Sequence, residues 1–171
     1  IGDFQVVPDG GEGFQIIEEI DLPVSGAGDI TGQGYPFYTD PIVLRQSFSL
    51  GEKDLDLPEN RDRRSTGRRI VLRLDDMEAV FARVGINGGE AGELFFLPRE
   101  LDITELVRVG ENTLEIELIS TLRNLIGPHH HVEGEPRSVF PTVYLPGENW
   151  TDEYHFTPYG LGGATLMLFD T

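Results

Sequence analysis

The chain has no cysteine, a single tryptophan and two methionines among its 171 residues, and its one lysine is Lys53. Without cysteine there is no disulfide framework, no thiol nucleophile and no thiolate metal site. Basic residues are few. Thirteen Lys and Arg stand against thirty Asp and Glu, a formal charge of −17, which excludes nucleic acid and anionic membrane surfaces as natural partners. No apolar run approaches the ~20 residues of a membrane span, and the opening residues lack the basic and apolar regions of a signal peptide. Long helical periodicity, internal repeats and low-complexity tracts are also missing. So are a G-x-S-x-G elbow, a P-loop and a dinucleotide fingerprint, and no autonomous catalytic activity or catalytic residue is expected. The chain starts at Ile1 and not at Met, which leads to the expectation of one domain, 1–171, excised from a larger multidomain protein.

What is present is β-forming. Gly (21) and Pro (11) are abundant, and runs of Val, Ile, Phe and Leu recur between turn clusters, the pattern of an all-β architecture of eight or more strands. Alternation places Val80, Ala82, Val84 and Ile86 on one face of a strand, and Leu114, Ile116 and Leu118 on one face of another. Asn87-Gly88-Gly89 reaches positive φ cheaply, as a tight hairpin requires, and Gly110-Glu111-Asn112 does the same before the second strand. Further strands are expected at Phe14 to Ile20, at Ile42 to Leu50 with Gln46 facing inward, from Ile70 through Leu74, and at Leu94 to Leu97. Two more are expected around Val139, Val143 and Leu145 and around Leu166, Leu168 and Phe169. Asp102 is placed to cap one helical turn through Thr104 to Val107. Ser25 to Gly34 reads as a loop, and Gly51 to Arg69 as a charged excursion. Arg61, Arg63, Arg64, Arg68 and Arg69 cluster in that excursion, but the neighbouring acids leave it close to neutral, so a self-paired solvated loop is expected there.

The order Val84-Gly85-Ile86-Asn87-Gly88, then Gly92, an aromatic run, Leu101-Asp102-Ile103-Thr104, and Gly110-Glu111-Asn112-Thr113-Leu114 resembles the sugar-binding β-sandwich of glycoside hydrolases. This is the galactose-binding-like domain of β-galactosidase, β-glucuronidase and α-L-rhamnosidase relatives. Gly32 to Phe48, Thr121 to His131 and Trp150 to Leu161 also look like segments that accompany this module in large bacterial glycosidases. The resemblance implies a jelly-roll-like sandwich serving as a non-catalytic accessory domain, with carbohydrate and the other domains of a parent enzyme as partners. In such enzymes the reacting carboxylates sit in a separate domain. An extracellular or periplasmic location is the corresponding expectation.

Sugar sites combine aromatic faces, which take C–H patches, with polar groups that take hydroxyls. Trp150, Asp152 and Tyr154 form one such group, Tyr35 and Tyr38 (with Phe37 between them) a second, and Arg123, Asn124, His129 and His130 a third. For Trp150 and Tyr35, packing on the core is the competing role. His129, His131 and Glu135 also match part of the cupin pattern His-x-His-x3-Glu, so a metal-dependent cupin-like enzyme stands as the rival reading, and a purely structural or adhesive sandwich as a third. No cofactor is expected. Asp75, Asp76 and Glu78, or Asp152 and Glu153, carry oxygens that suit a structural calcium ion, but exposed acids of an acid-rich surface are the expectation.

Overall fold

The computed structural model describes residues 4–9, 13–18, 28–55 and 68–170. Ile20, the first part of the Ser25 loop, and Arg61, Arg63 and Arg64 lie outside the described residues. Among the described residues ten strands follow in chain order: β1 (Phe4–Pro8), β2 (Phe14–Glu18), β3 (Gly28–Asp29), β4 (Ile42–Leu50), β5 (Arg69–Glu78), β6 (Phe81–Ile86), β7 (Gly89–Leu94), β8 (Glu100–Asp102), β9 (Gly110–Ile119) and β10 (Gly160–Phe169). Two short helices, α1 (Glu52–Leu55) and α2 (Arg123–Ile126), and two 3-10 turns complete them. All strand pairs are antiparallel. One sheet runs β3-β10-β5-β8, the other β4-β9-β6-β7, and β1 with β2 makes a separate hairpin. No helix among the described residues is long and apolar enough to cross a membrane.

The alternation explains how the two sheets close on each other. Along β9, Asn112, Leu114, Ile116 and Leu118 are buried while Thr113 and Glu115 face solvent. Leu114, Ile116 and Leu118 join Leu50, Ala82, Val84, Ile86 and Leu94 of their own sheet and Ile70, Leu72, Leu74, Met77 and Leu161 of the other in one apolar cluster. Burial stabilises by roughly 1.5–3 kcal/mol for each large aliphatic side chain, so the two inner faces supply the main driving force for the all-β sandwich. Tyr159 sits in this core with its hydroxyl at 2.9 Å from the carbonyls of both Asp40 and Leu118.

The β6–β7 hairpin turns on Asn87 (φ 53°) and Gly88 (φ 78°), the paired positive φ values of a type I′ turn. The Asn87 side chain does more than turn the chain. Its Nδ2 donates to Leu106 O and to Asn112 Oδ1, both at 2.9 Å, and its Oδ1 accepts from Thr113 N. Asn112, fully buried, in turn accepts from Arg108 N and donates to the carbonyls of Arg108 and Gly110. The two asparagines thus form a polar plug that satisfies the backbone where β9 begins.

Several local expectations are corrected. The strand expected at Leu94 to Leu97 is β7, and it ends at Leu94; Phe95 stacks on Phe81 (4.8 Å between centroids), and Phe96 and Leu97 project into solvent at 84% and 82% exposure. Val80 is exposed at the bend before β6 and does not share the inward face. Gln46 reaches solvent because β4 is an edge strand. Thr104 to Leu106 form a hydrogen-bonded turn instead of a helical turn, although Asp102 Oδ1 does accept from both Thr104 N and its hydroxyl. The strand expected at Val139 to Leu145 is a 3-10 turn, Pro141–Tyr144: proline at its start has no N–H to give a ladder. Ile42–Leu50 and the last strand stand where the pattern puts them.

Candidate functional site

The long connection from β9 to β10 carries most of the candidate residues, and its backbone is organised by irregular pairing of 129–132 with 149–155. His131 bridges Trp150, Val132 N donates to Asn149 O, Thr151 N to His130 O, and His155 N to His129 O. Asn124 of α2 anchors the far end. It is buried, and its amide accepts from Thr157 N and Oγ1 and donates to Thr157 O at 2.8–3.0 Å, so it works as a clamp on the entry to β10.

Arg123 lies beneath this layer. Its Nε donates to Glu135 Oε2 at 2.7 Å, Nη2 to Pro128 O, and Nη1 lies 3.5 Å from His129 Nδ1. The following turn can come this close only because residue 127 is glycine: a Cβ there would lie 2.3 Å from Arg123 O and 2.6 Å from the guanidinium.

Above the arginine, rings gather from four parts of the chain. His129 packs on Phe37 (5.7 Å), Phe156 (5.1 Å) and Tyr154 (5.8 Å), and Phe14 of β2 meets Phe37, Tyr154 and Phe156 edge-on. The outer rim is Trp150 stacked on His130 at 4.5 Å, with Tyr154 set edge-on to His130 at 4.4 Å. His130 donates from Nδ1 to Thr151 O, and Trp150 Nε1 donates to Asp152 Oδ1. Edge-to-face pairs of this kind contribute about 0.5–1.5 kcal/mol each. They hold the loop together without a β-ladder. Burial pushes the His129 imidazole below its ordinary pKa, with the Arg123 charge acting in the same direction, and its buried Nε2 has no hydrogen-bond partner among the described residues.

The structure therefore brings Arg123, His129, His130, Trp150, Asp152 and Tyr154 together. Tyr35 and Tyr38 sit apart from the rim. Their rings meet each other edge-on at 6.3 Å, Tyr35 packs on the core, and the Tyr38 hydroxyl donates to Pro41 O. Phe14 and Phe156 belong to the ring cluster but carried no expectation. Phe156 had a local signal: positions 150, 152, 154 and 156 share one side of an extended segment. Phe14 had none.

The metal-binding set is not assembled. Among the described residues no three His, Asp or Glu side chains converge to hold an ion. Glu135 is committed to Arg123, His129 is enclosed by rings, and the His131 ring accepts from Glu133 N. These three side chains are therefore not gathered around a common point, as the cupin-like reading requires. Asp75 bonds Arg73 and Thr165 and is held below the usual carboxylate range mainly by those hydrogen bonds, so Asp75, Asp76 and Glu78 form no calcium cage either.

No protein-family model matches the sequence, and neither does any curated protein. Among solved structures the chain is similar to a rhamnosidase from Novosphingobium sp. PP1Y, with TM-score 0.53 and 22% identity over 98% of this chain. It is also similar to the β-glucuronidase of Bifidobacterium dentium complexed with coumarin-3-O-glucuronide, with TM-score 0.55 and 23% identity over 86% of this chain. The likeness is one of fold. The chain spans only 14% of the rhamnosidase chain and 24% of the β-glucuronidase chain.

Proposed function

We infer that this chain is a single, non-catalytic accessory domain of a carbohydrate-active enzyme, a galactose-binding-like sandwich that contacts glycan through the rim of the β9–β10 connection. Trp150, Tyr154 and His130 would offer ring faces and edges to the C–H patches of a sugar, while Asp152 would serve its hydroxyls. The observation that carries the reading is a match of nearly the whole chain to a small fraction of a rhamnosidase. A fold supports many functions, so the site must be tested directly.

The test is binding of the chain to a broad glycan panel beside Trp150→Ala, with the fold of the variant checked by circular dichroism. Selective binding that the variant loses supports the rim site. Binding retained in the variant removes Trp150 from it, and silence across the panel sinks the glycan reading.

A specific observation favours a second role, packing against another domain. Phe95, Phe96 and Leu97 are exposed beside Phe81, a concentration of apolar surface that monomeric proteins seldom leave open. Phe96→Ser with Leu97→Ser should lower binding of an apolar dye to the isolated chain and leave glycan binding untouched. Unchanged dye binding would count against this role.

A further inference from the structure

The outer face of the sheet β4-β9-β6-β7 is not flat. It holds a depression of about 750 Å³ floored by Gly85, Gly88 and Gly89. Strand register arranges the surrounding side chains in rows that cross the sheet. One row is Val43, Glu117, Arg83 and Glu93, the next Arg45, Glu115, Gly85 and Glu90, and the third begins with Ser47 and Thr113. A register shift between Val84 and Gly85 falls at the centre of the second row. There a residue without a side chain lies between two carboxylate-bearing neighbours.

The rows are built from guanidinium–carboxylate contacts. Arg45 Nε meets Glu115 at 2.6 Å, and Arg83 bridges Glu93 at 2.9 Å and Glu117 at 3.0 Å. Exposed pairs of this sort contribute only about 0–1 kcal/mol to stability. Chemically, each pair leaves guanidinium N–H donors beside carboxylate lone pairs, and Ser47 and Thr113 add hydroxyls that do both. Two guanidiniums against four carboxylates (Glu90, Glu93, Glu115 and Glu117) leave the face net negative, which disfavours anionic ligands. The arginines interrupt the carboxylates, which disfavours a polycation.

We propose that this groove is a second binding site for a neutral oligosaccharide, with one ring seated over Gly85. Vicinal hydroxyls donate to Glu115 and Glu90 while accepting from Arg45 and Arg83, an alternation that a neutral polyol matches and that neither anionic nor cationic chains match throughout. The choice of ligand class rests on the glycan-binding reading above; the location does not, since the groove shares no residue with the Trp150 rim. Gly85 is what opens the seat. A Cβ there would make only ordinary contacts, 3.5 Å from Gly89 O and 3.8 Å from Glu115 Cβ, so the seat has room for a side chain to begin, and Gly85→Val is the substitution that fills it.

The experiment is an NMR titration of the ¹⁵N-labelled chain, its Gly85→Val variant and its Trp150→Ala variant. The probes are neutral gluco-, manno- and galacto-oligosaccharides, an oligogalacturonate and an oligolysine peptide. Neutral sugars should shift amides of 43–47, 83–90 and 113–117, with affinity at least tenfold weaker in Gly85→Val and unchanged in Trp150→Ala. Shifts confined to 129–131 and 150–154, lost in Trp150→Ala and kept in Gly85→Val, would overturn the groove while leaving the rim site standing. Groove shifts from the charged probes alone would overturn the ligand class, and no shift with any neutral sugar would overturn both sites. Should Gly85→Val not fold, Glu115→Gln keeps the shape, removes one carboxylate charge and should show the same loss.

Discussion

Asn112→Ala tests whether the polar plug at the start of β9 holds the sandwich in register. The side chain is fully buried and makes four hydrogen bonds: from Arg108 N, from Asn87 Nδ2, to Arg108 O and to Gly110 O. Truncation leaves those four groups without this partner. A typical net value is about 1 kcal/mol per bond, more where the stranded group stays dry, so the expected loss is about 3–5 kcal/mol. Against a total stability of roughly 5–15 kcal/mol this is a large fraction. For a chain of this size, ~2–4 °C per kcal/mol gives a fall in Tm on the order of 10 °C. Urea denaturation followed by far-ultraviolet circular dichroism measures the change. Asn87→Gly, which keeps the turn's positive φ and removes the shared bond, provides the partner for a double-mutant cycle, and the two losses should sum to more than that of the double variant. A loss below about 1 kcal/mol at unchanged m-value, or strict additivity, would refute the plug.

The remaining predictions concern titration and burial. Burial holds the His129 pKa down, so the unfolded chain takes up this proton more readily than the folded one. The stability that His129 contributes is therefore full above its unfolded value of ~6.5 and drains away as pH falls from there toward the lower folded value. The urea midpoint should drop between pH 7.5 and 5.5, and by less in His129→Leu; an equal drop in both would remove His129 as the cause. The Tyr159 hydroxyl is pushed up to about 12, chiefly by burial, so spectrophotometric titration should leave one phenol silent until well above pH 11. Tyr159→Phe should cost about 1–2 kcal/mol by removing the hydroxyl's bonds to the Asp40 and Leu118 carbonyls; a neutral result would mean that water replaces the hydroxyl.

The amino-acid order by itself determined the all-β class, the inward face of β9, that of β4 and β6 apart from Gln46 and Val80, and the tight positive-φ turn at Asn87-Gly88, because each is decided by neighbours two residues apart or by one residue's φ preference. It could also nominate Arg123, His129, His130, Trp150, Asp152 and Tyr154, since aromatic, imidazole and charged side chains are conspicuous in so short a stretch. What it could not decide was which apolar runs find a partner strand: 94–97 and 139–145 carry strand-like composition, yet one ends in solvent and the other begins a 3-10 turn. Tertiary structure alone gathered Phe14 and Phe37 onto His129, spent Asn124 on Thr157 and Glu135 on Arg123, and hollowed the sheet at Gly85. Those contacts join residues far apart in the chain, and no local periodicity records them, because their energy is realised only once the two sheets have closed.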